Sequence, residues 1–151
     1  MNVLLATDKP FTPVAVDQIK SIIEENGLEF LKLEKYTDKQ QLLDAVKNAN
    51  AIIIRSDIID RDVIEAAKEL KIVVRAGAGY DNVDLQAATE KNVVVMNTPG
   101  QNSNAVAELA FGMMIYAARK KFDGSSGTEL KDKTIGLHAF GNVGRNVARI
   151  A

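Results

Sequence analysis

Four short blocks hold the residues best suited to chemistry. The last of them, Ala139-Phe140-Gly141-Asn142-Val143-Gly144, has the spacing of G-x-G-x-x-G with alanine in place of the first glycine. In that pattern glycines let the backbone turn tightly and approach a pyrophosphate, which rests on amide N–H groups at the positive end of a helix. The same glycines also suit a strand-to-helix turn that needs them only for packing, so both readings stand. A second block, Arg75-Ala76-Gly77-Ala78-Gly79-Tyr80-Asp81-Asn82-Val83-Asp84, offers successive amides to a small anion. Its plainer reading is a turn with Gly77 and Gly79 at positive φ and Asp84 capping a helix. Arg55-Ser56-Asp57 ends an apolar run, and Arg55 and Arg75 could converge on one anionic group. The fourth block, Asn97-Thr98-Pro99-Gly100-Gln101-Asn102-Ser103, supplies three helix-capping residues, Asn97, Thr98 and Asn102, and leaves a ligand role open.

These blocks fall between elements that alternate in period. Val3-Leu4-Leu5 reads as a strand, followed by a helix with Thr12 as cap, Pro13 at its first position and Gly27 as stop. Phe30–Leu33 is a second strand, and Thr37-x-x-Gln40 a capping box for the next helix. Ala51–Ile54, Ile72–Val74 and Val93–Met96 are further strands, with helices opened by Asp60 and running from about Leu85 to Lys91. Runs apolar on both faces suit parallel strands covered on both sides. The expected fold is α/β: a flavodoxin-like open parallel sheet of five strands, in which ligands bind at the carboxyl edge. Asn102–Arg119 reads as one long helix, with Val106, Leu109, Met113 and Tyr116 on one stripe and Ala107, Phe111 and Ile115 widening it. Phe122–Gly127 is a polar connector. Lys133–Phe140 is expected to be a strand leading into a helix that begins at Arg145, the first βα unit of a Rossmann nucleotide-binding domain.

Composition excludes several classes. The chain has 151 residues, 46% hydrophobic and 26% charged, with 19 basic and 20 acidic residues, so no overall field favours nucleic acid or an anionic membrane. Without cysteine there is no disulfide, thiolate metal site or thiol nucleophile. The amino terminus lacks a basic start and a long apolar core, and the run Leu109–Ala118 is too short for a membrane span. A cytoplasmic protein is expected, with no nucleic-acid or membrane partner and no metal.

The stretches IIRSD, RAGAGYDNVDL, VVVMNTPGQNSNAVAE, GTELKDKTIG and FGNVGR stand in the order and spacing of the D-isomer-specific 2-hydroxyacid dehydrogenase family, which the whole chain resembles. Its phosphoglycerate-oxidising branch is nearest, through RAG-x-G-x-DNVDL and MNTP-x-x-NS. The resemblance implies oxidation of D-3-phosphoglycerate to 3-phosphohydroxypyruvate with NAD, the entry step of serine biosynthesis, by a complete enzyme that is a homodimer. It implies that residues 1–98 form a substrate-binding domain lacking its carboxyl-terminal completion, and that 99–151 form a crossover helix and the start of the NAD-binding domain. Ala76 and Gly77 would then present amides to the substrate carboxylate, Arg55 and Arg75 would lie toward its phosphate, and Asn102 would border it. Ala139, Gly141, Asn142, Val143 and Gly144 would approach the NAD pyrophosphate, and Ala78 the nicotinamide side.

The family's acid/base histidine, its glutamate partner and its carboxylate-binding arginine would all lie later than residue 151, so none is assigned here and the 151-residue chain alone is expected to be inactive. His138, the sole histidine, takes an apolar strand position and is expected to be structural. The stretch from Lys120 to Asp132, which contributes to the dimer in relatives, is shorter here than in many. A dehydrogenase for another 2-hydroxy acid, such as glycerate or lactate, and a non-catalytic flavodoxin-like binding module are the alternatives.

Overall fold

The computed structural model describes residues 1–151, which divide into two compact units, Met1–Thr98 and Pro99–Ala151. In the first, five strands and four helices alternate: β1 Asn2–Thr7, α1 Pro13–Glu25, β2 Glu29–Glu34, α2 Lys39–Val46, β3 Ala51–Ile54, α3 Arg61–Ala66, β4 Ile72–Arg75, α4 Leu85–Glu90 and β5 Val94–Met96. All strands are parallel, in the order β2-β1-β3-β4-β5, which is the flavodoxin-like arrangement expected from the apolar runs. Leu4, Leu5, Ile52, Ile54 and Val73 are buried on the central strands, and Leu42, Val46, Val63 and Ile64 on the helices join the core. The exits of the strands therefore bring residues near 8, 36, 55, 76 and 97 to one edge of the sheet.

Local chemistry sets the helix starts. Asp60 and Asp84 accept hydrogen bonds from the Val63 and Ala87 N–H groups, at 3.2 and 2.8 Å. The expected capping box is displaced by one residue. Asp38, not Thr37, caps α2 by accepting from the Gln40 N–H, and Gln41, not Gln40, reaches back to accept from the Thr37 N–H. A carboxylate is the stronger acceptor for an orphan amide, which decides the register.

The second unit holds α5, Ser103–Ala118, a single 3₁₀ turn at Lys120–Phe122, and α6, Asn142–Ile150. Ala107 of α5 and Val147 of α6 are buried, and the two helices are linked by hydrogen bonds from Asn146 Nδ2 to Ser103 Oγ and from Arg149 to Asn104 Oδ1. The stripe Val106, Leu109, Met113 and Tyr116 is exposed. Lys120, Lys121 and Phe122 all have φ between +49° and +60°, a left-handed turn that ends α5, and Phe122 packs edge-on against Tyr116.

Two expectations need correction here. Lys133–Phe140 carries no strand, and every residue from Thr128 to Val143 is exposed. A strand requires a hydrogen-bonded neighbour, and no segment pairs with this one. The helix after it begins at Asn142 rather than Arg145, because Gly141 takes the extended N-cap conformation and its carbonyl accepts from the Arg145 N–H.

Candidate functional site

In the first unit the candidate groups sit on loops at the carboxyl edge of the sheet. The loop after β4 is the most constrained. Its Ala76 N–H donates to the Ile54 carbonyl and its Gly77 N–H to the Arg75 carbonyl, both at 2.8 Å. The two amides read from the sequence as anion donors are thus already committed. The first extends the β3–β4 ladder by one rung and the second closes a three-residue turn. The next two amides, of Ala78 and Gly79, have no acceptor within the protein. Ala78, assigned by resemblance to the cofactor side, therefore presents a free donor in the same loop.

Gly77 and Gly79 are not at positive φ. What Gly77 provides is room: a Cβ there would collide with the Arg75 guanidinium, which folds over the loop. The Arg75 Nε is buried and unpaired. A positive charge thus lies against Gly77, beside two unpaired amides of the same loop, an environment that favours an anion. Arg55 leaves the neighbouring strand one residue past Ile54, the register partner of Arg75. It is exposed, and its side chain forms no ion pair or hydrogen bond.

The exit of β5 holds this loop from the other direction. Thr98 N–H donates to the Gly77 carbonyl at 2.9 Å, and Asn97 Nδ2 donates to the Ala78 carbonyl at 2.7 Å. Neither residue caps α5, contrary to the reading from composition. Asn102 sits at the N-cap position without a side-chain hydrogen bond, and the Ser103 hydroxyl donates to the Gly100 carbonyl.

Asp57 is the group the sequence left unassigned. Only 4% exposed, it accepts from the Tyr36 hydroxyl at 2.6 Å, the Asp8 N–H at 2.8 Å and the Arg55 N–H at 3.3 Å. One carboxylate thus ties together the exits of β1, β2 and β3. Burial first, and then the hydrogen bond and charge of Asp57, push the Tyr36 phenol well above its ordinary range. Asn82 continues the network by donating to the Asp57 carbonyl. A cleft of about 360 Å³ opens beside Asp57, lined in part by Asp8, Tyr36, Lys39 and Ile58. A strand-end Asp two residues after an Arg looks like any loop acid, and only the fold reveals that three other segments converge on it.

In the second unit, Ala139 stands at φ +79°. An L-residue there costs about 1 to 2 kcal/mol, which glycine would avoid. Gly144 is needed for close approach, since a Cβ would lie 2.6 Å from the Ala139 carbonyl oxygen. A Cβ at Gly141 would meet nothing within 4 Å, so the backbone there is open to a ligand. The N–H groups of Asn142, Val143 and Gly144 have no acceptor, as at any uncapped helix start. These donors fit a phosphate-type anion. Asn142 packs on Gly100, at φ +79°, and so braces the turn before α5. His138 is exposed and outside any strand, which corrects its expected place in an apolar strand.

The family model for D-isomer specific 2-hydroxyacid dehydrogenase, catalytic domain, matches residues 5–149. A D-3-phosphoglycerate dehydrogenase of Methanocaldococcus jannaschii is 38% identical, the match covering 98% of this chain and 30% of that protein. A hydroxypyruvate reductase of Thermotoga maritima is 40% identical over 83% of this chain and 46% of its own length. Among solved structures, the NAD+-bound 3-phosphoglycerate dehydrogenase of Entamoeba histolytica superposes with a TM-score of 0.95 at 49% identity, covering 99% of this chain and 50% of that one. The chain thus spans half of that structure and less than half of each of these two curated relatives.

Proposed function

The chain belongs to the D-isomer specific 2-hydroxyacid dehydrogenase family, and from that membership we propose that it supplies substrate- and cofactor-binding groups for the NAD-dependent oxidation of D-3-phosphoglycerate to 3-phosphohydroxypyruvate. The observation that carries the substrate half of the reading is the loop after β4, where the Ala78 and Gly79 amides are unpaired and the Arg75 guanidinium packs against the preceding Gly77. In this reading the two amides hold the substrate carboxylate, Arg75 and Arg55 face its phosphate, and Asn102 borders it. The cofactor half rests on the turn from Ala139 to Gly144, whose open backbone at Gly141 and unpaired amides of Asn142, Val143 and Gly144 hold the NAD pyrophosphate. When bound, NAD supplies the hydride acceptor for oxidation at the substrate's C2. The residues of this chain bind and orient, and the proton-transfer groups of the family lie outside the motifs present here. The whole protein is proposed to work as a homodimer, as the resemblance implies.

The test separates phosphate from carboxylate recognition. Arg55→Ala or Arg75→Ala in the full-length protein should weaken 3-phosphoglycerate binding by roughly tenfold to a hundredfold, the worth of a charge-assisted contact. Binding of unphosphorylated D-glycerate should change far less. Equal losses for both ligands would remove the phosphate role. A second reading, a dehydrogenase for an unphosphorylated 2-hydroxy acid, draws its support from the 40% identity to the Thermotoga hydroxypyruvate reductase. It requires the opposite result, with neither arginine distinguishing the two ligands.

A further inference from the structure

We propose that Asn97 is a positioning residue that fixes which way the anion-binding peptides of the loop after β4 face. The inference rests on the carboxylate reading of that loop and adds to it the device that aims the donors. In a trans peptide the carbonyl and the following N–H point in opposite directions. The Gly77 carbonyl is held by the Thr98 N–H at 2.9 Å, so the Ala78 N–H is turned away from the β5 exit. The Ala78 carbonyl is held by Asn97 Nδ2 at 2.7 Å, so the Gly79 N–H is turned away as well. Two successive bonds from one segment thus face both free amides to the same side.

The loop needs such a clasp. Its sequence, Gly77-Ala78-Gly79, is permissive enough for either peptide plane to rotate, and a rotated peptide would present a carbonyl dipole to an anion instead of an amide. The Thr98 contribution is main-chain and independent of side-chain identity, whereas the Asn97 contribution is a half-buried side-chain amide. The second peptide, whose amide belongs to Gly79, therefore depends on residue 97. Asn97 lies one residue past β5 and its side-chain hydrogen bond goes to the loop alone, so removal of the side chain leaves the β4–β5 ladder intact.

The experiment compares two ligands that differ in the carboxylate. Asn97→Leu, which keeps the volume without the donor, and Asn97→Ala are titrated with 3-phosphoglycerate and with glycerol 3-phosphate, while the Ala78 and Gly79 amide resonances are followed by NMR. In both variants, affinity for 3-phosphoglycerate should fall about tenfold, the loss of one well-aligned hydrogen bond, with the Gly79 resonance losing its ligand-induced shift. Affinity for glycerol 3-phosphate should stay within about twofold, because a phosphate-only ligand does not use these amides. Equal losses for both ligands, or undiminished preference for 3-phosphoglycerate, would overturn the role of Asn97. If the unmodified protein shows no preference between the two ligands, the carboxylate reading itself falls, and this proposal with it.

Discussion

At the scale of single residues, the two glycines that close the 139–144 turn do different work. The space at Gly141 is open, so Gly141→Val should leave the fold unchanged and obstruct only a ligand, lowering NAD affinity of the full-length protein by tenfold or more while thermal stability holds. Gly144→Ala instead sets a methyl 2.6 Å from the Ala139 carbonyl and should destabilise the second unit by about 1 to 3 kcal/mol. Calorimetry of NAD binding beside thermal denaturation separates the two, and a Gly141→Val protein with unchanged NAD affinity would return the turn to a packing role. Tyr36 gives a second prediction. Tyr36→Phe removes a hydrogen bond to the buried Asp57 carboxylate and should cost about 1.5 to 3 kcal/mol at neutral pH. Because the native phenol binds its proton more tightly than the unfolded one, this contribution is complete below the ordinary phenol pKa near ~10 and is lost as pH rises through the native value. Urea denaturation at successive alkaline pH values should therefore show the gap between the wild type and Tyr36→Phe narrowing, and a constant gap would contradict the linkage. The sequence pointed to the turn and the two arginines because glycine spacing and strand-end charge are local signals. It looked for open amides at Ala76 and Gly77, two residues before the unpaired ones, since which N–H groups are consumed depends on the carbonyls of Ile54 and Arg75. Asn97 was likewise read as a cap, because capping and clasping call on the same side-chain amide.

Among the elements, the caps differ in kind, and this is measurable. Asp84 accepts from the Ala87 N–H, whereas Thr12 precedes α1 without a side-chain cap bond. Asp84→Ala should cost about 1 kcal/mol in urea denaturation, while Thr12→Ala should cost a few tenths at most. Comparable losses would mean that Thr12 caps its helix in solution. The five strands of the first unit were legible because β-branched runs between capped helical segments leave few alternatives. Lys133–Phe140 has a similar apolar content at Ile135 and Leu137, yet forms no strand. Composition belongs to the segment, but a ladder belongs to a pair. The α5 stripe was read correctly as apolar, and Leu109 and Met113 on it are each 63% exposed.

Taken whole, the chain is two compact units that differ in how well their backbone is protected. The first places its sheet between helices, while the second has a continuous exposed run from Thr128 to Val143. Trypsin should therefore cut after Lys120, Lys121, Lys131 or Lys133 before any site between Lys9 and Lys91. Mass spectrometry of the first products would test this, and early cleavage within the sheet unit would contradict it. The strand order carries a further consequence, one of timing. β1 is the first of the five strands in chain order and an interior one, pairing on one side with Glu29–Glu34 and on the other with Ala51–Ile53. A nascent chain that ends before residue 51 can complete neither the sheet nor its core, and every pairing thereafter must close a loop containing a helix. Such non-local contacts delay the folding transition state. The β1 residues Val3, Leu4, Leu5 and Ala6 must wait for partners that emerge later, which makes β1 the strand of this sheet most exposed to mispairing during synthesis.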